Sequence, residues 1–584
     1  MNSARHGIGV VLVLSGAAVF AGCGLGDAGD PALPKATAPV PVQGTTDEKG
    51  DAGTPNSCID VACQDFPLPP SPHAVRLTSA QWERTIRDLL KLPMLPGNSM
   101  DFPPDPVASA DKFGSEAGDL IVTTQHWAAY QKAAESLADL IVTDNAALGA
   151  LLPSGIAQDD TKDTSLRIAA FVADFLPQAY RRAVTAGEIA DVISAGEQAA
   201  VSASGNAFVL RVKWILTSVL QSPKLIYRIS FGDGEVKDKR ARLSGYEVAS
   251  KLSYGLWGTM PDAALTALAK NGKLGTKEGV AEVARAMLKD PRAEVALAGF
   301  HDDLYLVEHF TEVKNRPLDP FKTFYPEFTK DAQTDVRRSV QELIIKGDGG
   351  LKELHTSTVA FVNKRLAPVY GIDVPELAEA GPDVFAKVQM DGTIRKGILM
   401  HPGWLTYEAT PKDPSPIRRG AYIARHVLCT PLGSPPPGAA GADPNKAPGA
   451  TNRLRVEATT KGCGDGCHGG KTGVINPFGF SFENFDSIGH ERSKDGDSPI
   501  DTNGSTEGTG AFAGAVALFD GVSTNARAHA CYAAHWSSYL NGTSLVDITP
   551  RWLAPAVARS LNNGSVREII VELVQTDAFL TVSR

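Results

Sequence analysis

Four times along this chain a serine or threonine stands three residues ahead of a glutamate or glutamine at the head of an apolar run. The pairs are Thr78/Gln81, Thr185/Glu188, Ser244/Glu247 and Ser565/Glu568. At that spacing the hydroxyl can accept from the backbone N–H three residues on while the longer side chain reaches back, which marks a helix start. Behind the first pair, Trp82, Ile86, Leu89 and Leu90 recur at helical spacing. Sustained period-two alternation is scarce. The chain is therefore expected to be mainly α and built of several helical modules. With 584 residues and 43% apolar content it can bury more than one core.

The N-terminus reads as an export signal. "MNSARHG" is a short positive start, and the 14-residue run "GIGVVLVLSGAAVF" follows it. A bilayer crossing needs about 20 apolar residues, so this run suits a signal-peptide core rather than a span. It ends in "FAGC", which resembles a bacterial lipobox, so residues 1–22 are expected to be removed and Cys23 acylated. Membrane lipid is then a partner through the acylated end. The expected location is the cell envelope, lipid-anchored, at the outer membrane of a Gram-negative bacterium. Residues 23–72, rich in Gly, Pro, Asp and Thr, read as a disordered tether. The net charge of −9, without a basic block, gives no electrostatic case for nucleic acid.

Seven cysteines suit an oxidising compartment. With Cys23 lipidated, Cys58 and Cys63 in "CIDVAC" can close a local bridge. Cys429 and Cys531 form the natural second pair. That leaves Cys463 and Cys467 in "KGCGDGCHGG", with His468 directly after the second. The c-type haem attachment pattern is C-x-x-C-H, and this stretch carries one residue more. The extra residue adds at most about 3.5 Å of contour. Gly464, Asp465 and Gly466 all favour turns, so the loop can bulge to absorb it. "TNRLRVEATT" upstream reads as a short helix leading into the loop. A disulfide between Cys463 and Cys467 is the competing reading. Zinc is a third, although two cysteines and one histidine lack a fourth ligand.

Further segments occur in the order of one family: "RLTSAQWERTIRDLL", "FLPQAYRRAVTAGEI", "QSPKLIYRI", "RLSGYEVASKLSYGLWGTMPDAAL", "FVNKRLAPVYGI", "RKGILMHPGWL", "SPIRRGAYIARHVLC" and "INPFGFSFENFDSIG". Together they resemble the large secreted cytochrome-like proteins built from planctomycete-type PSD and PSCyt modules, which are domains of unknown function. The resemblance spans roughly residues 75–584. It implies helical modules at 73–235 and 236–394, then a cytochrome-c-like module at 395–584 interrupted by the Pro/Gly-rich loop 431–450. In that family a C-x-x-C-H segment usually precedes the "NPFGFSFENFD" motif. The resemblance therefore implies haem c on Cys463 and Cys467, with His468 as proximal iron ligand. All seven methionines lie at or before Met400. A sixth ligand would have to be Met400, His401, His490, His529 or His535.

The expected function is electron transfer or envelope redox chemistry, with a possible redox partner protein. The alternative is a haem-free, outer-membrane-anchored binding or scaffold protein. Whether the chain is an enzyme stays open, since neither G-x-S-x-G nor H-E-x-x-H occurs. In "HDDLYLVEH", His301, Glu308 and His309 could share a helical face as a metal or acid–base site, though an exposed polar stripe is the usual meaning. "SKDGDSPIDTNG" reads as a solvated hairpin or turn rather than a calcium loop. The tryptophans are expected in the core.

Overall fold

The computed structural model describes residues 68–584 apart from 110–111, 158–162, 201–204, 314–315, 318–319, 433–450, 462–466, 470–472, 546–547 and 549. Helices begin where the caps place them. Thr78 accepts from Gln81 N while Gln81 accepts from Thr78 N, opening the helix Ser79–Leu89. Ser244 and Glu247 repeat the exchange ahead of Gly245–Leu256. Thr185 and Glu188 do so at Ala186–Ala200. At Val566–Val574 the Ser565 hydroxyl accepts from Glu568 N. The protein is mainly α. Among the described residues no helix is long and apolar enough to cross a membrane.

Two hydrophobic cores form. The first gathers Trp82, Tyr130, Phe171 and Phe208 from the helices Ser79–Leu89, Thr124–Thr143, Thr164–Tyr180 and Ala207–Leu220. The second takes in Ala108 and Phe113 and then runs from Ala241 to Val582, with Phe300, Trp404, Phe478 and Trp536, so residues 236–394 and 395–584 share it. At its centre lies the helix Ala526–Asn541, twelve of whose sixteen residues are buried. Trp536 of that helix stacks on Phe300 with ring centroids 3.7 Å apart.

Strands are short antiparallel clasps. Ala74–Arg76 pairs with Tyr227–Ile229, and Arg240–Arg242 lies between Val236–Lys237 and the C-terminal Thr581–Ser583. None of the described strands exceeds four residues, too few for an alternating pattern to stand out in the sequence. The stretch read as a hairpin or turn does form one, Lys494–Asp495 against Ser498–Pro499. Trp82, Trp257, Trp404 and Trp536 are buried as expected, whereas Trp127 is 43% exposed.

Six buried histidines are pushed down by burial, four of them far enough to matter most for the acid response. Burial pushes the imidazoles of His301 and His535 down to about 4 and those of His355 and His426 to about 3, from 6.5. They stay neutral in the fold but take protons once unfolded, so the unfolded chain binds more protons below 6.5. The histidine contribution to stability should therefore fall as pH drops from 6.5 toward 4, by about 1.4 kcal/mol per pH unit for each group once fully engaged. The carboxylates of Asp302, Asp303, Glu408 and Glu483, which burial pushes up, oppose it. The histidines, with His126 and His529 also pushed down, outnumber them. The thermal midpoint across that range checks it; a flat profile contradicts neutral burial.

Candidate haem-attachment segment

The segment around His468 is built from its flanking helices inward. Thr451 caps the helix Asn452–Thr460, the short helix expected ahead of the loop. Cys463 lies outside the described residues. Cys467 carries a free, half-buried thiol. Its carbonyl accepts from the N–H groups of Val474 and Ile475, closing the loop onto the helix Ile475–Phe480.

His468 is held by a directional chain. The Thr460 hydroxyl donates to Val456 O at 2.8 Å, so its oxygen is left to accept from Asn476 Nδ2, also at 2.8 Å. The amide carbonyl of Asn476 then faces His468 Nδ1 at 3.0 Å. A carbonyl only accepts, so Nδ1 carries a proton, and in the neutral ring the lone pair falls to Nε2. Metal-ligating histidines are commonly oriented by a bond from the ring nitrogen that does not bind metal. Asn476 is nearly fully buried. Sequence reading missed it, although its place before proline inside "INPFGF" is the signal that could have marked it.

Beneath this segment two helices cross without side chains between them. A Cβ on Gly420, in Pro416–Tyr422, would stand 1.8 Å from Ile475 O, and one on Gly479 would stand 1.9 Å from Pro416 O. Next to Gly420, the guanidinium of Arg419 is fully buried and donates to the carbonyls of Leu405, Phe482, Phe485 and Asp486 at 2.8–3.1 Å. Burial pushes it down to about 9, and Glu483 draws it back up. Arg395 donates to Met400 O and, at 2.6 Å, to Gly489 O. Asn452 Nδ2 donates to Glu483 at 2.9 Å, tying the loop to the upstream helix. The segments "SPIRRG" and "FSFENFDSIG" are thus two halves of one clamp.

Cys429 and Cys531 form the expected disulfide, across a sequence separation of 102 residues that spans Cys467 and His468. In the chain-entropy account, closing about 100 residues is worth about 4.7 kcal/mol. Cys23, Cys58 and Cys63 lie outside the described residues.

None of the five sixth-ligand candidates shares a hydrogen bond or ring contact with His468 among the described residues. Met400 is buried in the second core. His401 is buried too, its Nδ1 on Asp335 at 2.9 Å, where Tyr370 and the Phe361 N–H also donate to the carboxylate. His490 is half-buried with Nδ1 on Glu491 O. His529 has both nitrogens engaged, by Ser560 and by Ser523 O. His535 donates from Nε2 to His426 O, beside the disulfide.

The other constellations do not assemble either. His301 is buried against Tyr532, Glu308 pairs with Arg337, and His309 bonds Glu312 and Ala108 O. Asp495 accepts from Asn452 N, and Asp501 pairs with Arg453. A cavity of ≈ 150 Å³ does bring Asp233 and Glu247 together, yet Glu247 is occupied by the N–H groups of Phe231, Gly232 and Ser244.

Three families match the chain, each described as a protein of unknown function: PSD3 (DUF1587) at residues 76–143, PSD4 (DUF1592) at 243–372 and PSCyt3 (DUF1588) at 395–495. The chain is built of planctomycete-type PSD/PSCyt modules. Cys467, His468, Asn476 and both clamp arginines fall inside the PSCyt3 match, and Cys531 lies beyond it. No curated protein matches. No solved structure matches either.

Gly479→Ala should push the two crossing helices apart and cost about 3 kcal/mol or more, as overpacking against backbone does. Limited proteolysis should then cut within 451–490 faster than in the unaltered protein. Equal cutting rates would mean that the crossing yields easily.

Proposed function

We propose that this protein is an exported, lipid-anchored carrier of one covalent c-type haem, held by Cys463, Cys467 and His468, and that it passes electrons in the cell envelope. The carrying observation is the proton order through Thr460, Asn476 and His468, which leaves Nε2 ready to ligate beside a free thiol. The PSCyt3 match supports the same reading at the same residues.

When bound, the haem supplies a one-electron iron couple. The chain's own residues supply the rest. Cys463 and Cys467 would offer the sulfurs for the two thioethers; the residues between them, Gly464, Asp465 and Gly466, lie outside the described residues and are of types that favour turns. His468 would offer Nε2 to the iron. Asn476 fixes the tautomer and, by accepting from Nδ1, makes the imidazole a better donor. No methionine follows His468 in the chain. A coordination site left open beyond it would favour small-ligand or peroxide chemistry over simple electron transfer. Acylation of Cys23, through the "FAGC" sequence, would keep the carrier at the membrane surface.

The test is expression with a c-type maturation system. The purified protein should show a Soret band that survives acid–acetone extraction, and His468→Ala should alter it. Asn476→Ala should keep the covalent band but let added imidazole displace the axial histidine about 10–100-fold more easily. A folded, colourless protein would overturn the reading in favour of the haem-free scaffold.

A further inference from the structure

Away from the Cys/His segment, the structure leaves two half-buried positive charges facing a narrow space. The strand Tyr227–Ile229, the helix Gly245–Leu256, the end of Ala526–Asn541 and the strand Thr581–Ser583 enclose a cavity of ≈ 20 Å³. Arg228 and Lys251 line it, together with the Asn541 amide and the hydroxyl residues Ser71, Ser250 and Thr581. No carboxylate lines it.

Neither cation is neutralised by a carboxylate among the described residues. Lys251 Nζ donates to Asn541 Oδ1 at 2.9 Å and to Phe579 O at 2.7 Å, which leaves one of its three protons. Arg228 stands beside the Tyr254 ring at 5.6 Å, and its Nε is buried with no acceptor. The acidic residue on Lys251's own helix, Glu247, is already occupied by three backbone N–H groups. Arg240 adds a third positive charge close by, its own protons given to Ser71, Thr581, Ser583 and Pro69 O. Burial first, and then Arg228 and Arg240, push the Lys251 ammonium down to about 7.

We propose that this cavity binds a small monovalent anion of the chloride class. The charge balance calls for one. The carboxyl end of Ala526–Asn541 offers only about half an elementary negative charge, against a guanidinium that is always charged and an ammonium beside it. Buried charge without a partner is costly, and a counter-ion between the two cations removes that cost. Size selects the anion. One water needs about 10–15 Å³, so this space takes a particle of water or halide size and is too small for phosphate, sulfate or a sugar. Chemistry agrees, because the lining offers Arg228, the third Lys251 proton and the hydroxyls of Ser230 and Ser250 as donors, while Ser71 and Thr581 already donate to Thr581 O and Asp577 O. Ser71 and Pro72 also line a second, open cleft of ≈ 510 Å³, the side from which an ion could enter.

The experiment compares thermal unfolding of the full chain in sodium chloride and in sodium gluconate at equal ionic strength. Chloride should raise the midpoint saturably by about 2–4 °C, as a ligand bound only by the folded state does. Lys251→Met should abolish the difference. Crystals grown in bromide should give an anomalous peak between Arg228 and Lys251. Equal midpoints in the two salts, a full chloride response in Lys251→Met, or bromide peaks at the surface alone would each overturn the proposal. Should Lys251→Met not fold, the salt comparison and the bromide map on the unaltered protein decide it.

Discussion

Arg419 is a full positive charge in the protein interior with no carboxylate partner among the described residues, and the C-terminal half is arranged around it. Desolvating a guanidinium costs several kcal/mol. Four carbonyls offset that cost, each bond to a charged donor being worth about 1.5–3 kcal/mol. Three of the four belong to Phe482, Phe485 and Asp486, so the charge dictates the path of that loop. The loop follows directly on the helix that carries Asn476. Gly420 and Gly479 let that helix lie against its neighbour at backbone distance. The orientation of His468 is thus inherited from a buried charge fifty residues earlier in the chain.

Two sites with opposite electrostatic logic come out of the same fold. At His468 the ring is oriented by the Asn476 amide, with no carboxylate among the described residues hydrogen-bonded to Nδ1. At Lys251 and Arg228 the charges are left uncompensated, and the enclosed space between them is only large enough for a small ion. The disulfide Cys429–Cys531 ties the stretch containing the first site to the central helix. The carboxyl end of that helix borders the second.

Local signals in the sequence were legible. Caps such as Thr78/Gln81 and Ser244/Glu247 involve residues three apart, and the fold respects them. The same holds for the helix ahead of the cysteine loop and for the disulfide, where the spare cysteines allowed few partners. What stayed hidden depends on distant partners. Arg419 carries no signal of its own in the sequence, and three of the four carbonyls that enclose it lie more than sixty residues away. His301 reads as part of a polar stripe, yet its partner Tyr532 lies 231 residues on. The five distal-ligand candidates were chosen by type alone, and His529 has both nitrogens engaged by Ser560 and Ser523, contacts that no spacing rule reveals.

The function proposed for this chain turns on whether Cys463 and Cys467 carry a covalent haem next to His468. Mass spectrometry of the tryptic peptide "GCGDGCHGGK" from protein matured in a c-type haem-competent host tests it most directly. The account predicts that peptide at its own mass plus one haem, with neither cysteine open to alkylation. The same peptide two hydrogens light, with its sulfurs joined, or fully alkylated at both cysteines, would contradict it.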